Sequence, residues 1–348
     1  MKKKEIFMRC FKIHSIFFLL LISFFNHAIV GFAESTQATF TISPLDEETG
    51  QVRSSYYDLM VQPKEKKKLT IRVFNNSDKE TQIIMSANNG ATNDNGITSY
   101  LGTEERDSSL KIAFTDLVSE KEQEVTLPPN SHKDISVQVQ LPEEWFEGEI
   151  LGGLRVTSKN DNFSQNDTQN QEAAVTNNIA YTIGVVLRES DKSILPNMNL
   201  LGVGVEQRNS RNYISSNLQN AAPRIIKELK AEQKVYKKGT DTVLYEASNS
   251  NMRMAPNSNF NFGINLENQP LQAGEYTLKI SGTADEVPFS FEQDFIIDKE
   301  EAKELNRNSV YVQDKQEISI WIYGAIVLLL IALLVCGYFI RKERKSRR

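Results

Sequence analysis

The sequence predicts an all-β protein: two immunoglobulin-like β-sandwich domains in tandem, preceded by a signal peptide and followed by one C-terminal transmembrane helix. Three observations predict it. Between residues 34 and 317, short alternating runs recur at roughly 8–12-residue spacing with polar turns between them, and no 3.6-residue period persists. Ile318 to Ile340 then runs 23 residues without a formal charge. Finally, the chain opens on a basic stretch, Lys2, Lys3, Lys4, Arg9 and Lys12, followed by an apolar run densest between Ile16 and Phe25.

Each end has a physical reading. At ~1.5 Å rise per residue the 318–340 run spans roughly 34 Å, enough for a ~30 Å hydrocarbon core. It carries no polar stripe of the kind a buried core helix shows. Trp321 and Tyr323 at one end and Tyr338 at the other stand where interfacial aromatics belong. The tail 341–348 holds Arg341, Lys342, Arg344, Lys345, Arg347 and Arg348 against Glu343 alone. By the positive-inside bias that tail is cytoplasmic and everything before Ile318 is outside. At the other end, Gly31-Phe32-Ala33 offers a small-residue cleavage site before Glu34, so residues 1–33 read as a signal peptide. A retained N-terminal anchor is the competing reading, and the shortness of the apolar run weighs against it. The expected localisation is the cell membrane, single-pass, with the N-terminus outside and the ectodomain facing the cell wall.

The ectodomain, residues 34 to 317, is longer than one typical sandwich and fits two domains. With the ends set aside it holds 29 basic and 43 acidic residues, a net of −14. Such a surface disfavours nucleic acid and anionic membranes as partners. Both cysteines, Cys10 and Cys336, fall in the membrane-directed segments, so the exported part has neither disulfides nor thiolate metal ligands. An exported protein without disulfides points to a bacterial surface and to domains with adequate cores.

Taken in order, the first strand is Ala38 to Ser43, marked as an edge by Pro44. Tyr56 to Val61 follows, then the charged connection Lys64 to Lys68, then Leu69 to Phe74 and Gln82 to Ala87. Asn88 to Gly96 (NNGATNDNG) reads as loop. Further strands are expected at Leu110 to Phe114, Glu124 to Leu127, Lys133 to Gln140 and Gly148 to Thr157. In the last of these, Gly152 and Gly153 suggest a bulge or a close backbone approach. After the polar loop 160–171, the strong strand at 178–189 is expected to pair with Leu151 to Thr157 and close the first sandwich. The second sandwich takes strands at Asn199–Glu206, Asn212–Gln219, Ile225–Tyr236, Thr242–Ala247, Ser258–Leu266, Gly274–Ser281 and Val287–Ile297. Gly274 to Leu278 (GEYTL) resembles the late strand of immunoglobulin-like modules. Asp298 to Glu317 is charged and reads as a short helical stalk.

Catalytic chemistry is not legible. The ectodomain has one histidine, His132, in a turn without a nucleophile-and-base constellation. There is no glycine-rich phosphate loop, no HExxH motif and no carboxylate pair suited to glycoside hydrolysis. The Asn88–Gly96 loop lacks the acidic spacing and terminal Glu of a calcium loop. The reading is a non-enzymatic binding protein with no cofactor and no metal.

The order of motifs carries a resemblance. FTISP at 40–44, YYDLMVQP at 56–63, LTIRVFNNS at 69–77 and FEGEILGGLRV at 146–156 resemble the peptidoglycan-binding domain of the WxL-interacting protein family. MAPNSNFNFGI at 254–264 and AGEYTL at 273–278 resemble its host-binding domain. The resemblance implies a low-GC Gram-positive source and the division 34–157, 160–306, a stalk at 307–317, the anchor at 318–340 and the tail at 341–348. It also implies attachment to peptidoglycan, recruitment of secreted WxL-domain proteins, and contact of the second domain with host extracellular matrix proteins. The profile boundary near 157 and the strand boundary near 190 leave open which domain holds the strand at 178–189.

Two alternatives stand beside it. One is a stand-alone host-directed adhesin, against which two sandwiches of ~10-residue strands at ~3.3 Å per residue reach only roughly 70 Å. The other is an accessory subunit of a membrane-linked sensor or cell-wall complex, whose tail is too short to be a signalling domain. For a sugar polymer, aromatic faces with amide hydrogen bonds are the expected grip. Tyr56, Tyr57 and Tyr100 with Asn88, Asn93 and Asn95 supply that chemistry. For a protein partner, the expected device is a lent sheet edge, at Thr39–Pro44, at Val287–Ile297 or in Ile225–Tyr236. There Lys227, Lys230 and Lys234 read more readily as edge protection against aggregation.

Overall fold

The computed structural model describes residues 40–53, 56–159 and 179–310. The expected signal peptide, the polar loop 160–171, the anchor from Ile318 to Ile340 and the basic tail lie outside the described residues. Among the described residues no helix is long and apolar enough to cross a membrane.

The first sandwich is built from β1 (Phe40–Leu45), β2 (Tyr56–Met60), β3 (Lys66–Asn75), β4 (Thr81–Asn89), β5 (Ala91–Thr92), β6 (Thr98–Ser99), β7 (Glu122–Leu127), β8 (His132–Gln140), β9 (Glu149–Ser158) and β10 (Ala180–Arg188), with a one-turn helix α1 (Phe114–Leu117). Its sheets run β1-β3-β8 and β2-β10-β9-β4-β7. Alternation decides which face is buried: Leu69, Ile71 and Val73 of β3 share one core with Ile83 and Met85 of β4 and with Leu154 and Val156 of β9. β3 begins at Lys66, so the charged connection read at Lys64 to Lys68 is partly strand; its lysines sit where the ladder has left the core. The strand at 180–188 belongs to this sandwich. It pairs antiparallel with β9 from Ala180↔Thr157 to Arg188↔Glu149, with β2 parallel on its other side.

The paired glycines make close approaches. The β9–β10 register runs through them without a bulge. A Cβ on Gly152 would lie 2.1 Å from the Phe114 ring, and one on Gly153 would lie 2.7 Å from the Tyr100 ring. Phe114 also explains a correction. Leu110 to Phe114 alternates like a strand, yet the segment is irregular and ends in α1, because that single turn drives Phe114 down onto the bare main chain of β9.

The second sandwich consists of β11 (Met198–Arg208), β12 (Arg211–Asn220), β13 (Ile226–Lys237), β14 (Val243–Met254), β15 (Ser258–Asn265), β16 (Gly274–Ala284) and β17 (Val287–Ile297), closed by helix α2 (Lys299–Asn308). The sheets run β11-β12-β15 and β14-β13-β16-β17. The GEYTL run opens β16, where Tyr276 stacks on Phe295 at 5.6 Å between centroids. Asp298 caps α2 by accepting from the Glu300 (2.8 Å) and Glu301 (3.4 Å) amides, with acidic residues in the first turn and Arg307 in the last. The stalk reading is corrected here for residues 298–310; its remainder, 311–317, lies outside the described residues. Ala302 is buried in the core, and the Asn306 carboxamide holds both the main chain of Leu271 (2.8 and 2.9 Å) and the side chain of Asn212 (2.9 Å). The Val310 amide donates to the Ser210 carbonyl at 3.2 Å, so the chain stays docked through residue 310.

Both sandwiches lie in one compact unit. The Asn88–Gly96 segment bridges them: the Thr92 and Ser258 hydroxyls meet at 2.6 Å, the Arg253 amide donates to the Gly96 carbonyl (2.7 Å), and the Asn261 amide donates to the Asp94 carboxylate (3.1 Å). Asp107 is 6% exposed and accepts from Gln219 Nε2 (2.9 Å) and Asn259 Nδ2 (2.5 Å) across the junction, as well as from the Ser109 amide and hydroxyl. Where β9 starts, Gly148 has φ +83° and its absent Cβ would fall 2.0 Å from the Pro223 carbonyl oxygen, so both backbone and space require glycine.

Candidate functional site

The residues chosen from sequence scatter once folded. Tyr57 is 2% exposed, a core residue out of reach of any glycan. Strand alternation forces this: of two adjacent tyrosines on β2, one must point inward. Its hydroxyl lies 2.9 Å from the Leu45 carbonyl and 2.5 Å from the Thr70 carbonyl, tying β2 to the opposite sheet, and burial pushes that hydroxyl above its ordinary value. Tyr57→Phe is therefore expected to cost about 1–2 kcal/mol in thermal unfolding and to leave ligand binding unchanged. Asn93 accepts from the Asn95 (3.0 Å) and Ile97 (3.4 Å) amides, and so shapes the bridging turn. Asn95 is exposed on that turn. Asn88 donates to the Tyr100 carbonyl at 2.8 Å.

Tyr56 and Tyr100 do come together. They line a cleft of about 490 Å³ at the junction of the two sandwiches, with Asp58, Thr98, Glu149, Leu151, Gly184, Val186 and Arg188 from the first and Ile225, Lys227 and Arg253 from the second. Tyr56, on β2 at the sheet edge, is 49% exposed. Tyr100 lies over the glycine main chain of β9 and β10: a Cβ on Gly184 would sit 3.3 Å from its hydroxyl and 3.7 Å from the Tyr56 Cβ. Burial pushes the Tyr100 hydroxyl above its ordinary value, so it remains a protonated donor at neutral pH. Leu151, Val186 and Ala255, with Tyr100 and Ile225, form a small apolar cluster between the domains.

Part of the cleft's polar lining is committed internally. Arg188 pairs with Asp58 (2.9 Å) and Asp191 (3.2 Å), and Glu149 accepts from the Ile225 amide (2.7 Å). Among the described residues, the hydroxyls of Tyr56 and Tyr100 and the charged ends of Lys227 and Arg253 have no such partner. A second hollow of about 450 Å³ lies around Asn88, Arg106 and Asp107. There Asp107 is saturated, Arg106 pairs with Asp116 at 2.9 Å, and Asn88 is bonded to Tyr100. Sequence reasoning missed Lys227 and Arg253 as cleft residues, because nothing local joins them to Tyr56. It also passed over Trp145, 53% exposed between Glu144 and the buried Phe146, whose signal is a tryptophan in an acidic loop.

The sheet edges divide similarly. β1 and β17 each end a sheet, paired on one side with β3 and β16. β13 is interior, held between β14 and β16, so Ile225–Tyr236 is no edge; Lys230 and Lys234 form same-strand ion pairs with Glu228 and Glu232. β17 presents Ile296, 72% exposed, on its outer face, and its unpaired side approaches β11 of the other sheet.

Two family models match the chain. Residues 40–158 match the peptidoglycan binding domain of the WxL Interacting Protein, and residues 170–307 match the host binding domain of the WxL Interacting Protein. The second match begins before β10, which is hydrogen-bonded into the first sandwich. No curated protein matches. Among solved structures, the chain is similar to one from a chaperone–tip adhesin complex of CFA/I fimbriae biogenesis, at 15% identity over 74% of this chain and 98% of that one, with a TM-score of 0.30. It is likewise similar to the class 5 fimbriae chaperone CfaA (14%, 74% and 98%, TM-score 0.27) and to the YadV chaperone (8%, 75% and 100%, TM-score 0.26).

Proposed function

The chain belongs to the WxL Interacting Protein family, and from that premise we propose that it is a membrane-anchored, non-enzymatic cell-surface protein that attaches to peptidoglycan and recruits secreted WxL-domain proteins. The observation that carries this reading is the ordered match of a peptidoglycan binding domain and a host binding domain over residues 40–158 and 170–307. Two features support it. The uncharged run 318–340 with its basic tail supplies an anchor. The side of β17 left unpaired in its sheet, which approaches β11, and the exposed Ile296 form an edge onto which we place an extended segment of a secreted protein as a further strand. Host proteins are a further class of partner for the second domain, whose family model is that of a host binding domain.

The wall-binding half of the proposal is tested by sedimenting the full chain, held in detergent, with purified insoluble peptidoglycan. Co-sedimentation is the expected result. A chain that stays in the supernatant at every glycan concentration contradicts it.

A further inference from the structure

We infer that the glycan site of this protein is the junction cleft, composed by both sandwiches, and that it reads a carboxylate-bearing muropeptide unit rather than a bare sugar chain. The inference rests on the peptidoglycan reading above and locates it.

Four observations carry it. The cleft's volume, about 490 Å³, lies in the ~300–1,000 Å³ range of small-ligand sites. Its first-domain wall offers the Tyr56 ring, 49% exposed, on which a sugar face can lie, next to the Tyr100 hydroxyl, which has no hydrogen-bond partner among the described residues. Its second-domain wall offers Lys227 and Arg253, two cations without an ion pair among the described residues, in an ectodomain that is otherwise strongly acidic. Its floor includes Gly184, where a Cβ would press on the Tyr100 hydroxyl at 3.3 Å and touch Tyr56 at 3.7 Å.

The chemistry follows from these groups. N-acetyl sugars of the wall polymer are neutral, whereas the lactyl-linked peptide ends in carboxylates. The tyrosines suit the first and the cations suit the second, and only a ligand carrying both satisfies the whole lining. The bidentate guanidinium of Arg253 sets orientation, and Lys227 acts as a point charge. One consequence is that the segment matched as a host binding domain supplies half of the wall-binding site.

The test uses the full chain in detergent and two soluble probes: the disaccharide-peptide released from peptidoglycan by a muramidase, and chitotetraose, which has the sugar faces without the carboxylates. Titration calorimetry is expected to show binding of the disaccharide-peptide and at least about tenfold weaker binding of chitotetraose. The double variant K227Q/R253Q and the single variant Y56A are each expected to weaken the disaccharide-peptide about tenfold, with unchanged melting temperatures because all three side chains are exposed. K230Q/K234Q, on the same strand but outside the cleft, is expected to bind as the parent does. If the parent sediments with peptidoglycan and the cleft variants match it, the composite site is overturned while peptidoglycan binding stands. Equal binding of the two probes overturns the carboxylate reading. If the parent does not sediment at all, both readings fall.

Discussion

Replacing Asp107 by alanine is expected to destabilise the protein by about 3 kcal/mol, the largest effect of any single polar substitution at the junction. The carboxylate is 6% exposed and collects donors from both sandwiches: Gln219 and Asn259 from the second, and the Ser109 amide and hydroxyl from the first. Removing it strands buried amide donors that have nowhere else to turn. At roughly 2–4 °C per kcal/mol for a chain of this size, the melting temperature should fall by about 6–12 °C in scanning calorimetry. An unchanged melting temperature would show that the junction does not depend on this clamp. The same group sets an acid limit. Burial pushes the Asp107 carboxyl up, and hydrogen bonds from Ser109, Asn259 and Gln219 more than offset it, so its folded-state value lies below the ordinary 3.8. A carboxyl depressed in this way contributes stability above 3.8 and loses it as pH falls through the folded-state value. The junction is therefore expected to hold across neutral pH and to loosen only in strong acid, read as a melting temperature that falls more steeply below pH 3.8 in the parent than in Asp107→Ala, where depressed carboxyls such as Asp134 still contribute.

Truncating the chain before Ile318 is expected to move it wholly out of the membrane fraction, into the cell-wall fraction and the medium. Both sandwiches carry their own buried cores, and α2 is docked through residue 310, so the truncated protein retains the contacts that fold it. What it loses is the uncharged run, each apolar residue of which favours the bilayer by about 0.3–0.6 kcal/mol at its centre. Immunodetection of the membrane, wall and culture fractions measures the shift, and retention of the truncated chain in washed membranes would remove 318–340 as the anchor.

The second sandwich was largely legible from sequence. β15 and β16 alternate cleanly, and the GEYTL run marks the start of β16. The strand at 180–188 was legible as the partner of β9 because its apolar run has no other sheet to complete. Failures came where a tertiary contact overrides a local pattern. Leu110 to Phe114 alternates, but the glycine gap on β9 pulls Phe114 into a helical turn. Asp298 announces a capped helix, whereas its docking through Asn306 depends on Leu271 and Asn212, which are far away in the chain. The candidate site suffered in the same way. The Asn88–Gly96 loop was read as exposed turn chemistry, yet its contacts Arg253, Ser258 and Asn261 lie about 160 residues on and convert it into a domain bridge. Residue type alone singles out Tyr56, Tyr57 and Tyr100 and does not tell the buried Tyr57 from the two that line the cleft. Lys227 and Arg253 were missed, because a lysine or arginine on a strand is ordinarily a solvated face, and only the docking of the domains brings these two to the cleft.

Recruitment is the central proposal: the protein holds a secreted WxL-domain protein at the wall. Gel filtration of the full chain in detergent, mixed at micromolar concentration with a purified secreted WxL-domain protein, tests it directly. The account predicts one earlier-eluting peak containing both chains in fixed ratio. Two separate peaks at their individual positions would contradict it.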